Sequence, residues 1–203
     1  MTVVSDVRAT KPPRILAVFL LVAGVIGFLA AFALTLDKFE LLENPDSVLN
    51  CDFGVLVQCT ANLDSPQGAL FGFPNPIIGL AGFTAVIAMG TVIFASGNHL
   101  ARWFWLLFNV GVAGALAFVI WLISQSIFVL GTLCPWCMVT WSVTIPLFWA
   151  VTLYNAKTGN IPLPAWGRRI AHAAYGWVPL ITLVSYLIVA LLAQLRLDVI
   201  SYL

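Results

Sequence analysis

Five long apolar stretches divide the chain, and polar residues gather between them. A helix of about 20 residues, at roughly 1.5 Å rise per residue, crosses the ~30 Å hydrocarbon layer of a bilayer. A β-barrel would show short segments of alternating polarity instead, so the pattern predicts an all-α integral membrane protein. The predicted spans are residues 15–36, 76–96, 103–123, 135–154 and 177–195.

The composition supports a membrane protein and excludes a water-soluble domain. Hydrophobic residues make up 62% of the chain and charged residues only 8%. The formal net charge of +1, without a basic cluster, argues against a nucleic-acid partner and leaves the lipid bilayer as the expected surroundings. The apolar stretch 15–36 is too long for a cleavable signal and has no small-residue cleavage site, so it is expected to remain as an anchor.

The positions of the charges predict the orientation, because short cytoplasmic loops retain Lys and Arg. With a cytoplasmic N-terminus, seven of the nine basic residues would lie inside and seven of the eight acids outside. The chain is therefore predicted to be a multi-pass protein of the cell membrane, with a cytoplasmic tail (1–14), a long external loop (37–74) and an external C-terminus. The inside residues would be Arg8, Lys11, Arg14, Arg102, Lys157, Arg168 and Arg169.

The four cysteines all fall on the predicted external side. Cys51 and Cys59 lie in the external loop, and Cys134 and Cys137 lie at the external start of the fourth span. Disulfides persist outside the cytoplasm and are reduced within it, so redox chemistry is possible at this face. Four cysteines allow three pairings, and the sequence leaves the pairing open.

The run Cys134-Pro135-Trp136-Cys137 is the strongest chemical signal in the chain. Proline suits the first turn of a helix, so Cys134 is predicted to be the N-cap and Cys137 the third helical residue. The positive end of the helix stabilises a thiolate there. Cys137 would lie about one turn, roughly 5 Å, deeper than Cys134 and nearer to anything dissolved in lipid.

Other uses of the cysteines fit the sequence less well. Zinc sites use closely spaced cysteine pairs or added histidines, but seven residues lie between Cys51 and Cys59, and His99 and His172 fall on the opposite side, so no metal is expected. A purely structural bond between residues three apart would constrain little chain. A scaffold or small transporter with structural disulfides would carry ionisable residues within its spans, and these spans contain essentially none.

In their order and surroundings these residues resemble the vitamin K epoxide reductase family of membrane thiol oxidoreductases, and its bacterial members in particular. The resemblance covers roughly residues 15–154. The motifs that carry it are Cys51-Asp52-Phe53-Gly54 with Cys59, Gly72-Phe73-Pro74-Asn75-Pro76-Ile77-Ile78-Gly79, and Cys134-Pro135-Trp136-Cys137.

The resemblance implies a four-helix bundle around a quinone, either menaquinone or ubiquinone, capped by the loop with the first cysteine pair. Residues 155–203 would add a cytoplasmic loop, a fifth membrane helix and a short external tail. Carried over, Cys137 reduces the quinone, Cys134 exchanges with Cys59, and Cys51 meets a thiol partner. The bacterial members oxidise a thioredoxin-like carrier and so support disulfide formation in secreted proteins.

The resemblance also suggests residues that surround the cysteines. Asn75 corresponds to a quinone-binding asparagine, although its default role is the N-cap of the second span. Trp141 stands where the family often has tyrosine; it loses the hydroxyl but keeps a ring that can stack on the quinone, or it faces lipid or a neighbouring helix. Ser65 and Asp52 are expected to support the loop, with an ordinary turn as the alternative for Ser65.

Two further expectations concern the thiol partner and the direction of the reaction. Many bacterial relatives continue into a thioredoxin-like domain, whereas this sequence stops at Leu203, so the carrier is expected to be a separate protein. The same cysteines could also serve a quinone or quinone-epoxide reductase in a cofactor cycle. Protein oxidation is the expected activity.

Overall fold

The computed structural model describes residues 13–96 and 100–202. The predicted tail residues 1–12, with Arg8 and Lys11, and His99 lie outside the described residues. Within these described residues, five helices are long and apolar enough to cross a membrane, which confirms the all-α prediction and fits a multi-pass membrane protein. The helices are α1 (Arg14–Glu43), α2 (Thr60–Leu63), α3 (Pro76–Ser96), α4 (Arg102–Ser124), α5 (Pro135–Thr158), α6 (Ala165–Tyr175) and α7 (Val178–Leu197).

Short irregular helices complete the described chain. A π-helical segment, Gln125–Leu130, continues α4, and two 3-10 turns, Pro66–Ala69 and Val199–Tyr202, lie in the loop and after α7. The described residues form one isolated β-bridge, between Val57 and Leu133. This bridge joins the segments that lead into Cys59 and Cys134.

Helix α1 is longer than the sequence pattern predicted. It continues seven residues past the predicted span, to Glu43, so that the loop begins at Asn44. The segment is rich in residues that favour helix, and Leu41, near its end, is only 3% exposed because it packs against the loop. Charged residues had indicated a loop, but tertiary packing keeps this segment helical.

Helix α6 lies in a region that the sequence reading treated as a loop. Trp166 and Ile170, one turn apart, are exposed, whereas Ala171 is buried. The helix packs against α5 and carries Arg168 and Arg169. It is only 11 residues long and carries charged positions, so its sequence does not form an apolar stretch of the length of a membrane span.

Packing within the bundle is centred on α5, which contacts α1, α4, α6 and α7, while the most extensive pairing joins α1 to α3. Small residues permit the close approach of α1 and α3, as is common between membrane helices. A Cβ added at Gly27 would lie 2.2 Å from the ring of Phe83, and one added at Gly24 would lie 2.7 Å from Ile87.

A buried amide cluster joins α4 to the end of α5. Asn155 is fully buried and donates a hydrogen bond from Nδ2 to Oδ1 of Asn109 (3.0 Å). Asn160 donates to Oδ1 of Asn155 (2.8 Å), and Nε of Arg102 donates to the backbone carbonyl of Asn160 (2.8 Å). Buried amides are costly unless they are hydrogen-bonded, so this network stabilises one particular pairing of the two helices.

The cysteines occupy the other end of the bundle, where α1 and α4 finish and α3 and α5 begin. We call it the cysteine end. The loop 44–75 folds over it and brings three of the sulfurs into a buried cluster with Leu34, Leu41, Leu49 and Leu63. The fold therefore gathers all the chemistry at a single end.

The α1–α3 contact predicts unequal effects of two matched glycine substitutions. Gly27→Ala should lower the free energy of unfolding by about 1–3 kcal/mol, because its Cβ overlaps the buried Phe83 ring. Gly82→Ala, on α3, should leave it unchanged or raise it by up to about 1 kcal/mol, because a Cβ there meets no atom within 4 Å. Denaturation in detergent micelles measures both, and equal stability of the two variants would contradict the packing described here.

Candidate thiol–disulfide site

The described structure pairs Cys51 with Cys59 in a disulfide, with the two Cα atoms 5.7 Å apart. Cys134 and Cys137 are free thiols. The Cys134 sulfur lies 3.6 Å from the Cys59 sulfur. Cys51, Cys59 and Cys134 are all buried, with at most 3% exposure. A thiol in contact with a disulfide sulfur is the arrangement that thiol–disulfide exchange requires.

The start of α5 has the geometry predicted from the sequence. Cys134 is the N-cap, Pro135 occupies the first helical position, and the Cys134 sulfur accepts a hydrogen bond from the backbone N–H of Cys137 (3.3 Å). The N-cap prediction is therefore confirmed. This N–H and the positive helix end stabilise negative charge on the Cys134 sulfur.

Two backbone hydrogen bonds hold the loop against the connection between α4 and α5. The N–H of Leu133 donates to the carbonyl of Leu56 (2.8 Å), and the N–H of Gln58 donates to the carbonyl of Leu133 (3.0 Å). We call this pair of bonds the loop clamp. Gln58 and Leu133 directly precede Cys59 and Cys134, so the clamp fixes the register that brings the two sulfurs together.

The connection between α4 and α5 is itself held in place. The π-helical segment ends at Gly131, whose φ of +69° is accessible to glycine with little strain. The hydroxyl of Ser126 donates to the carbonyl of Thr132, and Nδ2 of Asn62 donates to the Thr132 hydroxyl (3.0 Å). Leu133 and Cys134 therefore follow a connection that is bonded both to α4 and to the loop.

Asp52 accepts hydrogen bonds with both carboxylate oxygens. Oδ1 accepts from the N–H groups of Cys59 (2.7 Å) and Thr60 (3.2 Å), and Oδ2 accepts from the Thr60 hydroxyl (2.6 Å) and from the N–H of Leu49 (3.4 Å). Burial alone would raise the pKa of Asp52, but the bonds from Thr60, Cys59 and Leu49 outweigh it and lower the pKa. The carboxylate thereby orients the backbone at Cys59.

Ser65 and Asn75 also bind loop backbone. The Ser65 hydroxyl donates to the carbonyl of Asn62 (2.8 Å) and accepts from the N–H of Gly68 (3.1 Å), capping the 3-10 turn. Asn75 donates from Nδ2 to the Gln67 carbonyl (2.6 Å) and accepts at Oδ1 from the N–H of Leu70 (3.1 Å). The Asn75 side chain thus turns back to the loop and does not cap the first turn of α3.

A cavity of about 880 Å³ lies between α3, α4 and α5 beneath the loop. Its walls are mainly apolar, and Cys137, Trp141, Asn75, Ser65 and Gln67 contribute to them. Trp141 is only 5% exposed, and its indole N–H has no hydrogen-bond partner within the described chain. A buried donor without a partner in a cavity wall is suited to a ligand that offers an acceptor.

Asp37 was not identified from the sequence as a site residue. In the sequence it only marked the start of the predicted external loop. Its Oδ2 lies 3.4 Å from the Cys51 sulfur, although fourteen residues separate them. No spacing rule joins the two positions. The one available signal was helical periodicity, since Asp37 shares a face with Leu34 and Leu41 if α1 continues past residue 36.

Metal binding was not expected from the sequence, and one group of potential ligands bears on the question. The ligand atoms of Asp37, Cys51 and Cys59 all lie within 4.8 Å of one another. The two sulfurs are bonded to each other, however, and therefore offer no thiolate, which is the form that binds metals. This group is not a metal centre in the described state.

Comparison with known proteins agrees with the geometry. A family model described as "Vitamin K epoxide reductase family" matches residues 18–152. The matched segment runs from α1 into α5 and contains the four cysteines, the loop and the cysteine end. Among the curated proteins, none matches the chain.

The bonds of Asp52 predict a loop that depends on its charge. Asp52→Ala should reduce the hydrogen-exchange protection of the Cys59 and Thr60 amides about tenfold, because charged hydrogen bonds contribute roughly 1.5–3 kcal/mol when buried and less near solvent. Asp46→Ala, at an exposed acid of the same loop, is the matched control.

The same bonds predict a pH dependence with a defined sign. Because the folded-state pKa of Asp52 lies below its ordinary value, its stabilisation is fully present above about pH 4 and is lost as the pH falls through the lowered pKa. Exchange protection at Cys59, corrected for the intrinsic rate, should stay constant from neutral pH down to that point and then decrease. Loss of protection nearer pH 6 would contradict this role.

Proposed function

Because the chain belongs to the vitamin K epoxide reductase family, we propose that it oxidises an extracytoplasmic thioredoxin-like carrier and passes the electrons to a membrane quinone. The observation that carries the proposal is the 3.6 Å contact between the sulfurs of Cys134 and Cys59, next to the Cys51–Cys59 disulfide. On the other side of α5's first turn, Cys137 lines the apolar cavity. The sulfurs thus connect the loop with the cavity.

The proposed path moves one electron pair from the carrier to the quinone, and the steps between cysteines are thiol–disulfide exchanges. The carrier's dithiol reduces the Cys51–Cys59 bond and becomes a disulfide. Cys59 then attacks Cys134 in a Cys134–Cys137 disulfide, and Cys51 attacks Cys59 to release Cys134, which leaves the helix pair reduced. When bound, a quinone would accept two electrons from the Cys134–Cys137 pair, together with two protons from these thiols or from water. The overall change is carrier dithiol plus quinone to carrier disulfide plus quinol.

The cavity has the size and chemistry to hold a quinone. Ligand pockets of roughly 300–1,000 Å³ with apolar walls and a few convergent polar groups are typical of small-molecule sites. The unpaired indole N–H of Trp141 can donate to a quinone oxygen. Asn75 uses one Nδ2 hydrogen for Gln67 and retains a second that can donate as well.

The charges support a cysteine end that faces the outside of the cell. Arg14 and Arg102 begin α1 and α4, Lys157 lies in the last turn of α5, and Arg168 and Arg169 lie in α6, all toward the opposite end. Basic residues favour the cytoplasmic side. In this orientation the loop meets a soluble carrier, and the cavity remains within reach of lipid.

The carrier cannot reach the disulfide in the arrangement described. Cys51 is 3% exposed and Cys59 is fully buried, whereas Val48, Phe53 and Val55 nearby are at least 75% exposed. The proposal therefore requires the loop to open before the carrier attacks Cys51. Two backbone hydrogen bonds of the loop clamp, at about 0.5–1.5 kcal/mol each, are weak enough to break during turnover.

Turnover with purified protein, a short-chain quinone and a reduced thioredoxin-fold carrier tests the function. Cys134→Ser and Cys137→Ser should abolish quinol formation. Cys51→Ser and Cys59→Ser should abolish it with the carrier but retain part of it with a small membrane-permeant dithiol, which can reduce the helix pair directly. Absorbance of the quinol measures the rate.

Two results of this assay would contradict the proposal. Full activity of Cys137→Ser would exclude the path through α5. Turnover that proceeds with a quinone epoxide and a dithiol, but never with the carrier, would favour the cofactor cycle over protein oxidation.

Trp141 offers a separate test of the quinone site. Trp141→Phe keeps an aromatic ring but removes the N–H, so the KM for the quinone should rise about three- to tenfold, as expected for one neutral hydrogen bond. Trp141→Tyr restores a donor and should recover part of this loss. Trp149→Phe is the control on the same helix, because the Trp149 N–H donates to Ser185 and the ring does not line the cavity. An unchanged KM in Trp141→Phe would exclude the indole as a donor.

A further inference from the structure

Asp37 is in contact with a reacting sulfur. Its Oδ2 lies 3.4 Å from the Cys51 sulfur, within the distance of a hydrogen bond that involves sulfur. In the disulfide, Cys51 has no proton to donate, so the contact is not a hydrogen bond in the described state. Once Cys51 is a thiol, the same position lets its S–H donate to the carboxylate.

The position of Asp37 is set by the extension of α1. Leu34 and Leu41 lie on the same helix face, three residues before and four after Asp37, and both pack into the buried cluster with Cys51, Cys59 and Cys134. They hold this part of α1 against the sulfurs. Asp37 is therefore carried by a packed helix rather than by a mobile loop.

The charged neighbours of Asp37 leave its oxygens available. Lys38, the adjacent residue, pairs with Asp64 (2.8 Å), and within residues 13–96 and 100–202 no cation forms an ion pair with Asp37. Glu40 on α1 and Asp52 in the loop are the acids whose charges act on it. Both oxygens of Asp52 already accept hydrogen bonds. Asp37 is the acid that can exchange a proton with Cys51.

We propose that Asp37 accepts the proton of the Cys51 thiol when Cys51 closes the loop disulfide, a role that rests on the function proposed above. The Cys51 S–H bond breaks and the proton moves to Asp37 Oδ2. The Cys51 thiolate forms a bond to the Cys59 sulfur, the Cys59–Cys134 bond breaks, and its electron pair leaves on Cys134 as a thiolate. When the loop disulfide is reduced, the protonated Asp37 returns its proton to the Cys51 thiolate.

The Cys134 sulfur, which becomes the leaving thiolate in this exchange, lies where negative charge is stabilised. The Cys134 sulfur accepts the N–H of Cys137 (3.3 Å) at the positive end of α5, which stabilises the leaving thiolate. Asp37 removes a proton at one sulfur while α5 stabilises an anion at another. The described state, with the disulfide closed and Cys134 still 3.6 Å from Cys59, corresponds to the product of this step.

A single-turnover experiment isolates the step. Fully reduced protein is mixed with a short-chain quinone, quenched with acid, alkylated, and analysed by mass spectrometry for each disulfide. In Asp37→Asn, closure of Cys51–Cys59 should slow about 30-fold at neutral pH, because only about 3% of a thiol with an ordinary pKa of about 8.5 is thiolate at pH 7, and the Cys59–Cys134 disulfide should accumulate. Oxidation of Cys134 and Cys137 by the quinone should keep its wild-type rate.

The pH dependence of the rate at which the Cys51–Cys59 bond closes distinguishes a proton acceptor from a structural residue. Without Asp37, closure should accelerate about tenfold per pH unit toward the ordinary thiol pKa of about 8.5, because hydroxide then supplies the thiolate. Glu40, Asp52 and the Lys38–Asp64 pair are unchanged in this variant. Asp64→Asn disrupts the ion pair without touching the Cys51 contact and is the matched control, with a wild-type profile expected.

A second variant of Asp37 and two further results test the same role. Asp37→Glu keeps the carboxylate and should close the loop with the wild-type pH profile, and it replaces Asp37→Asn should that variant not fold. If the wild-type protein forms no quinol, the proposed function fails; closure started with a small cyclic disulfide then still tests Asp37. Wild-type closure rates in Asp37→Asn from pH 6 to 9, with no accumulated Cys59–Cys134 bond, would overturn the inference.

Discussion

The loop clamp is the contact on which the arrangement of the site depends. Its two hydrogen bonds join Leu133 to Leu56 and to Gln58. Leu133 directly precedes Cys134, and Gln58 directly precedes Cys59. These bonds fix one position within a loop of about thirty residues, and in that position Cys59 lies 3.6 Å from Cys134. Each bond stabilises by only about 1 kcal/mol, so the clamp sets the geometry of exchange while allowing the loop to move.

Two aspartates beside the disulfide have different surroundings, and their chemistry follows from that difference. Asp52 uses both oxygens to hold the backbone around Cys59, which keeps it charged and fixed. Asp37 lies on the packed end of α1, and its carboxylate lies at hydrogen-bond distance from the Cys51 sulfur. Saturated hydrogen bonding suits a structural carboxylate, whereas an available oxygen beside Cys51 suits the proton transfer proposed above once Cys51 is reduced to a thiol.

The bundle is tightly packed on one side and hollow on the other. Glycines bring α1 and α3 together with almost no space between them, whereas α3, α4 and α5 leave a cavity of about 880 Å³. The first turn of α5 separates these environments, with Cys134 buried against the loop and Cys137 in the cavity wall. Thiol exchange and an apolar acceptor can therefore meet across one helical turn.

The sequence alone determined the features that depend on local pattern: five apolar helices, the N-cap at Cys134 followed by Pro135 in the first helical position, and membership of the vitamin K epoxide reductase family. Only the tertiary structure decided that α1 reaches Glu43, that Asn75 turns to the loop, that the Trp141 N–H lacks a partner, and that Asp37 touches Cys51. It also selected the Cys51–Cys59 bond among three pairings. Hydropathy and helix capping act over a few neighbouring residues, whereas these contacts join positions that packing alone brings together.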